Sequence, residues 1–162
     1  MDEARLLHLF EIDLKNGKLF WKHINKHHLE KLGQETGYEQ QGRSNKNYWV
    51  VSIAGKKIKR GHIIYFIGNR EQARPVLDHI NGNSLDDRLE NLRAATHAEN
   101  SWNAKFKRSR NLPTGVRLVQ SGRFQARISF FGKQIHLGAY DTPKEAENVY
   151  LAKRKELYGR FA

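Results

Sequence analysis

The chain has no cysteine among its 162 residues, which excludes disulfides and any zinc site built on thiolates. Acidic side chains are outnumbered: 17 Asp plus Glu face 29 Lys plus Arg, and the formal net charge is +12. A surplus of that size suits a polyanionic partner, nucleic acid first. No apolar run nears the ~20 residues that cross a bilayer, and the acidic N-terminus lacks the pattern of a secretory signal. These absences predict a soluble intracellular protein with no membrane partner. Proline is sparse, and Pro75, Pro113 and Pro143 each mark an element boundary. The length allows one ordinary domain or two small ones.

Positive charge is concentrated late. From Lys105 onward there are 13 basic and 4 acidic residues, against 16 and 13 before it. The run from Lys105 to Pro113 reads as a basic linker ended by proline, with Lys105, Lys107, Arg108 and Arg110 as candidate phosphate contacts. The expected organisation is a first domain over 1–104, a linker over 105–113 and a second module over 114–162.

The most informative stretch is Val76-Leu77-Asp78-His79-Ile80-Asn81-Gly82-Asn83, followed by Asn91-Leu92-Arg93 and Thr96-His97-Ala98-Glu99-Asn100. A short strand over 75–77 is expected to deliver Asp78 and His79 to its end. A polar loop follows, and a second strand over 92–95 returns. Thr96 and Glu99 have capping-box spacing and open a helix that carries Asn100 in its first turn. Phosphodiester hydrolysis needs a deprotonated water and neutralised phosphate charge. A hard cation such as Mg²⁺ or Mn²⁺ takes one or two protein oxygens, which Asp78 and the Asn100 carbonyl offer. A neutral imidazole is the natural base near neutral pH, which points to His79. Alone, residues 78–83 would read as an Asx-rich turn; Asn91 and Asn100 downstream tip the reading toward a site.

These residues resemble the HNH endonucleases, in the variant of phage and intron homing enzymes whose last histidine is asparagine. The resemblance implies that Asp78 and Asn100 are metal ligands, His79 is the general base, and Asn91 fixes the loop. It further implies a ββα-metal nuclease unit that cuts double-stranded DNA with Mg²⁺ or Mn²⁺ and no small-molecule cofactor. The setting it implies is the cytoplasm of a bacterium or of a phage-infected host. With one motif per chain, a monomer on DNA should nick one strand.

Upstream, residues 3–12 read as a helix, 18–22 as a strand, and 23–42 as loop. His23, His27 and His28 in that loop read as surface histidines rather than a metal cluster. Residues 48–53 and 56–59 read as a hairpin around Ala54-Gly55. A short buried helix is expected over 62–68, with His62 in a packing role.

Downstream the pattern becomes strict alternation. Phe124, Ala126, Ile128 and Phe130 are apolar with polar residues between, as in a strand with one buried face. The same alternation predicts three antiparallel strands and a helix opened by Thr142-Pro143-Lys144-Glu145, with a capping box and Pro143 at its first position. Ala146, Val149, Tyr150, Ala152 and Leu157 would cover the sheet. The segment 114–159 resembles the AP2 DNA-binding domain, in Gly115-Val116-Arg117, Gly122-Arg123-Phe124-Gln125-Ala126-Arg127-Ile128 and Leu137-Gly138-Ala139-Tyr140-Asp141-Thr142. It implies a polar sheet face set against DNA, with Arg117, Arg123, Arg127, Gln134 and His136 as candidate contacts. The expected class is α+β, a ββα-metal nuclease unit followed by a small sheet-plus-helix module. The leading function is a homing-type DNA endonuclease. The alternative is a DNA-binding regulator that retains an inactive HNH scaffold.

Overall fold

The computed structural model describes residues 1–42, 45–103 and 112–162. The candidate contacts Lys105, Lys107, Arg108 and Arg110 lie outside the described residues. The chain divides into two compact units, Met1–Thr96 and His97–Ala162.

The first unit begins with helix α1 (Glu3–Leu9), whose N-terminus is capped by Asp2 accepting from the Arg5 amide. The expected helix to Ile12 stops three residues short. Phe10 turns extended and opens strand β1 (Phe10–Asp13), which pairs with β2 (Lys18–Trp21). Periodicity cannot separate a short apolar helix end from a strand. Pairing Phe10 with Trp21 and burying Phe10 beside Leu19 decides it. The hairpin turns at Gly17, with φ +67°; a Cβ there would sit 2.3 Å from the Asp87 carbonyl carbon, so only glycine lets the turn lie against the later loop.

The stretch expected to be loop over 23–42 contains strand β3 (Tyr38–Gln41), which pairs with β4 (Asn47–Ile53). Strand β5 (Lys56–Lys59) completes this antiparallel sheet. Helix α2 (Arg60–Asn69) follows directly and buries Ile63, Ile64 and Tyr65. They join Leu6, Phe10, Leu19, Val51 and Leu92 in one apolar core. Strands β6 (Val76–His79) and β7 (Leu92–Ala95) form a separate antiparallel hairpin, with Asp78 opposite Arg93 and His79 opposite Leu92. Buried Leu92 and Ala95 anchor it.

The second unit opens with helix α3 (His97–Asn103). Residues 97–103, read from the sequence as the end of the first domain, cluster with the second unit because Trp102 stacks on Tyr158 at 4.8 Å and packs on Phe130 and Phe131. Arg154 also donates to the Trp102 carbonyl. Strands β8 (Val116–Leu118), β9 (Phe124–Phe130) and β10 (Lys133–Tyr140) form an antiparallel sheet in sequential order. Helix α4 (Pro143–Tyr158) starts with the complete Thr142/Glu145 capping box and ends at Gly159. It packs on the sheet through Ala146, Tyr150 and Tyr158, against buried Ala126 and Ile128. Ala152, expected to share that face, is exposed. The architecture is mixed α/β with several small antiparallel sheets.

Candidate active site

The β6–β7 hairpin carries Asp78 and His79 as its last two residues on the outgoing strand. Asp78 is 4% exposed, and Oδ2 accepts from Arg93 Nε and Nη2, each at 2.8 Å. This is a buried, directly cross-strand ion pair, so Asp78 also holds the hairpin together.

The loop between the strands is ordered by its own side chains. Asn91 is buried; its Oδ1 accepts from the Asn81 amide, and its Nδ2 donates to Asn81 Oδ1 and to the Asp86 carbonyl. Asp86 grips Arg88 with both oxygens, Nε at 2.8 Å and Nη2 at 2.9 Å, and accepts from Asn81 Nδ2. The Arg88 bond is the main reason its carboxyl falls to about 2, against an opposing effect of burial; the Asn81 bond adds to the fall. Ser84 ties the loop to β4 by donating to the Asn47 carbonyl.

His79 is mostly buried, with Nε2 3.0 Å from Asp87 Oδ1. Asp87 is 3% exposed, and its other oxygen, Oδ2, accepts from Arg60 Nε at 3.0 Å. Arg60 in turn reaches Glu35 at 2.8 Å and lies over the Trp49 ring. Burial alone would raise Glu35; contacts from Lys18 and Arg60 outweigh it and hold the carboxyl below its usual range. His62, on the first turn of α2, is pushed below the usual imidazole value by burial first, then by Lys59 and His79, with Asp87 opposing.

Sequence reasoning did not single out Asp87 or Arg60. Their partnership spans 27 residues, and a charge pair at that distance leaves no local periodicity. The one local signal is the doubled Asp86-Asp87 before Arg88, more acid than a solvated turn requires. Asn100 lies in the second unit, exposed on α3. Among the described residues no three His, Asp or Glu side chains group as a metal cluster. His23 stacks on His8 at 4.2 Å with Nδ1 on the His8 carbonyl, while His27 and His28 are exposed.

A family model described as HNH endonuclease matches residues 65–102. Protein 3.8 of Escherichia phage T7 is 34% identical over 90 residues, covering 53% of this chain and 72% of that protein. An uncharacterized HNH endonuclease of Acanthamoeba polyphaga mimivirus is 31% identical over 86 residues, covering 53% of this chain and 44% of that one. The chain carries an HNH endonuclease domain over residues 65–102. No solved structure matches it. The HNH match contains Asp78, His79, Asp87, Asn91 and Asn100 and leaves out Arg60 and Glu35.

Beyond the HNH match, register groups the polar residues of the C-terminal sheet. Arg117 lies opposite Gln125, Arg127 opposite His136, and Ser129 opposite Gln134. Arg117 donates to Gln125 Oε1 at 2.7 Å, and Arg127 Nη1 reaches Gln134 Oε1 at 3.5 Å. Arg123, just before β9, pairs instead with exposed Asp141. Among the described residues no helix is long and apolar enough to cross a membrane.

Proposed function

We propose that this HNH protein is a metal-dependent DNA endonuclease of homing type, acting as a monomer that nicks one strand. The observation that carries the reading is His79, held by a buried carboxylate at the end of a strand and adjacent to Asp78, inside the segment matched to HNH endonucleases. His79 takes a proton from water. The water oxygen's pair forms the new bond to phosphorus, and the bond to the leaving sugar oxygen breaks with its electron pair on that oxygen. Asn91 keeps the loop that follows His79 in one conformation.

Asp78 and Asn100 would hold the divalent ion. One carboxylate and one carboxamide fit Mg²⁺ or Mn²⁺, which favour oxygen donors and keep several sites for water and phosphate. Such an ion supplies charge neutralisation on the phosphate. Asp78 meets this role while engaged by Arg93, and that pairing fixes the carboxylate's orientation.

The C-terminal sheet, AP2-like in its sequence pattern, would set Arg117, Arg127, Gln134 and His136 against duplex DNA, with Arg123 and the basic stretch from Lys105 to Arg110 adding phosphate contacts. The test is supercoiled plasmid incubated with the full chain and Mg²⁺ or Mn²⁺, against chelator. Conversion to open circle that chelator abolishes is expected. Intact plasmid under every metal condition, with DNA still bound, would favour the inactive regulator instead.

A further inference from the structure

We propose that Asp87 is a positioning residue for His79: by accepting the Nε2 hydrogen it holds the imidazole in the tautomer whose lone pair is on Nδ1, and so decides which ring nitrogen receives the proton from water. The catalytic consequence rests on the nuclease reading above; the tautomer assignment does not.

The geometry separates this role from simple charge neutralisation. A carboxylate whose only task is to balance an arginine gains most by meeting the guanidinium with both oxygens. Asp86, the preceding residue, does that with Arg88. Asp87 instead divides its oxygens, Oδ2 to Arg60 and Oδ1 to His79, each at 3.0 Å. Arg60 also donates through Nη1 to Glu35, at 2.8 Å. A carboxylate paired with a guanidinium can only accept, so the hydrogen of the His79 contact sits on Nε2.

The surroundings make room for Asp87 alone. A Cβ on Gly61 would lie 2.6 Å from Asp87 Oδ1, and one on Gly17 would lie 2.3 Å from its backbone carbon. Two elements from elsewhere in the chain thus close on Asp87 with glycines, the start of α2 on its carboxylate and the β1–β2 turn on its backbone. Burying a charge costs several kcal/mol unless its partners are well placed. The network Lys18–Glu35–Arg60–Asp87–His79 supplies such partners and ends on the ring.

The experiment uses the full-length chain labelled with ¹⁵N-histidine, in long-range proton–nitrogen spectra, with His79→Ala identifying the signal. Above the imidazole titration range, wild-type His79 is expected to be protonated on Nε2, and Asp87→Asn to lose that preference. Plasmid nicking by Asp87→Asn is expected to fall by ~10²–10⁴-fold in kcat. The change in KM should stay within about twofold, and in a His79→Ala background the same substitution should cost nothing further. A wild-type His79 protonated on Nδ1 would overturn the proposal. So would an Asp87→Asn loss of equal size with and without His79, the mark of a purely structural carboxylate. If Asp87→Asn fails to fold, the wild-type spectrum still decides. An Nε2-protonated His79 in a chain that cuts no DNA would sink the nuclease reading and leave the Asp87 assignment standing.

Discussion

Asp78 and His79 are neighbours in sequence with different structural burdens. His79 meets Asp87 through Nε2, and His79→Ala removes the ring proposed to take the proton from water. Its expected result is plasmid cleavage reduced ~10²-fold or more with DNA affinity near wild type. Asp78 is the cross-strand partner of buried Arg93. Replacing it with alanine would remove the carboxylate that this buried guanidinium meets, at a cost of ~3–5 kcal/mol. Asp78→Asn retains an oxygen for Arg93 and removes the carboxylate charge. Cleavage should vanish in a protein that still melts cooperatively; full cleavage by either variant at matched metal concentration would defeat the proposed roles.

At the level of elements, the loop over 80–91 is cross-linked by hydrogen bonds among Asn81, Asp86 and Asn91. Its acid sensitivity follows from Asp86, whose carboxyl lies at about 2 against an ordinary 3.8, chiefly through Arg88. A depressed carboxylate contributes stability that is fully present above its unfolded value and is lost as pH falls toward its folded one. Stability should therefore drop between about pH 4 and 2, and Asp86→Asn should flatten that part of the profile in denaturant unfolding. An unchanged acid limb would show that Asp86 does not lock the loop. The turn itself was legible as Asx- and Gly-rich, and the β4–β5 and β9–β10 hairpins read close to their observed limits because alternation and Gly turns are local signals. Strands β1 and β3 were not. Each is only four residues long, and each is defined by a partner strand rather than by its own pattern.

For the whole molecule, charge and packing pull the second half in different directions. Its basic surplus suits DNA, yet Trp102, ahead of the basic stretch, packs on Tyr158 and Phe130 far downstream. Cutting the chain near residue 111 would strip Trp102 of those partners, so shortening is a poor probe of DNA binding. Single replacements on the polar sheet face are cleaner. Arg127→Ala leaves buried Ala126 and Ile128 in place. Binding to target and scrambled duplexes across a salt series should show one of two outcomes. Loss of a base contact would cost ~1–3 kcal/mol on the target alone. Loss of a phosphate contact would weaken all sequences and lower the salt slope by ~0.9. No change in affinity or slope for either Arg127→Ala or Arg117→Ala would mean that the sheet does not touch DNA.

The order Asp78, His79, Asn91, Asn100 is written in consecutive local signals: a short apolar strand, a polar turn, a returning strand, a helix start. Those signals marked the HNH domain and the residues worth mutating. Composition pointed to a polyanionic partner, because net charge is a sum that needs no coordinates. Tertiary structure alone decided what stands behind His79. Asp87, Arg60 and Glu35 come from a loop, a helix start and a residue bridged to β2. Only folding brings their charges out of water together, and the value of each depends on the others being there.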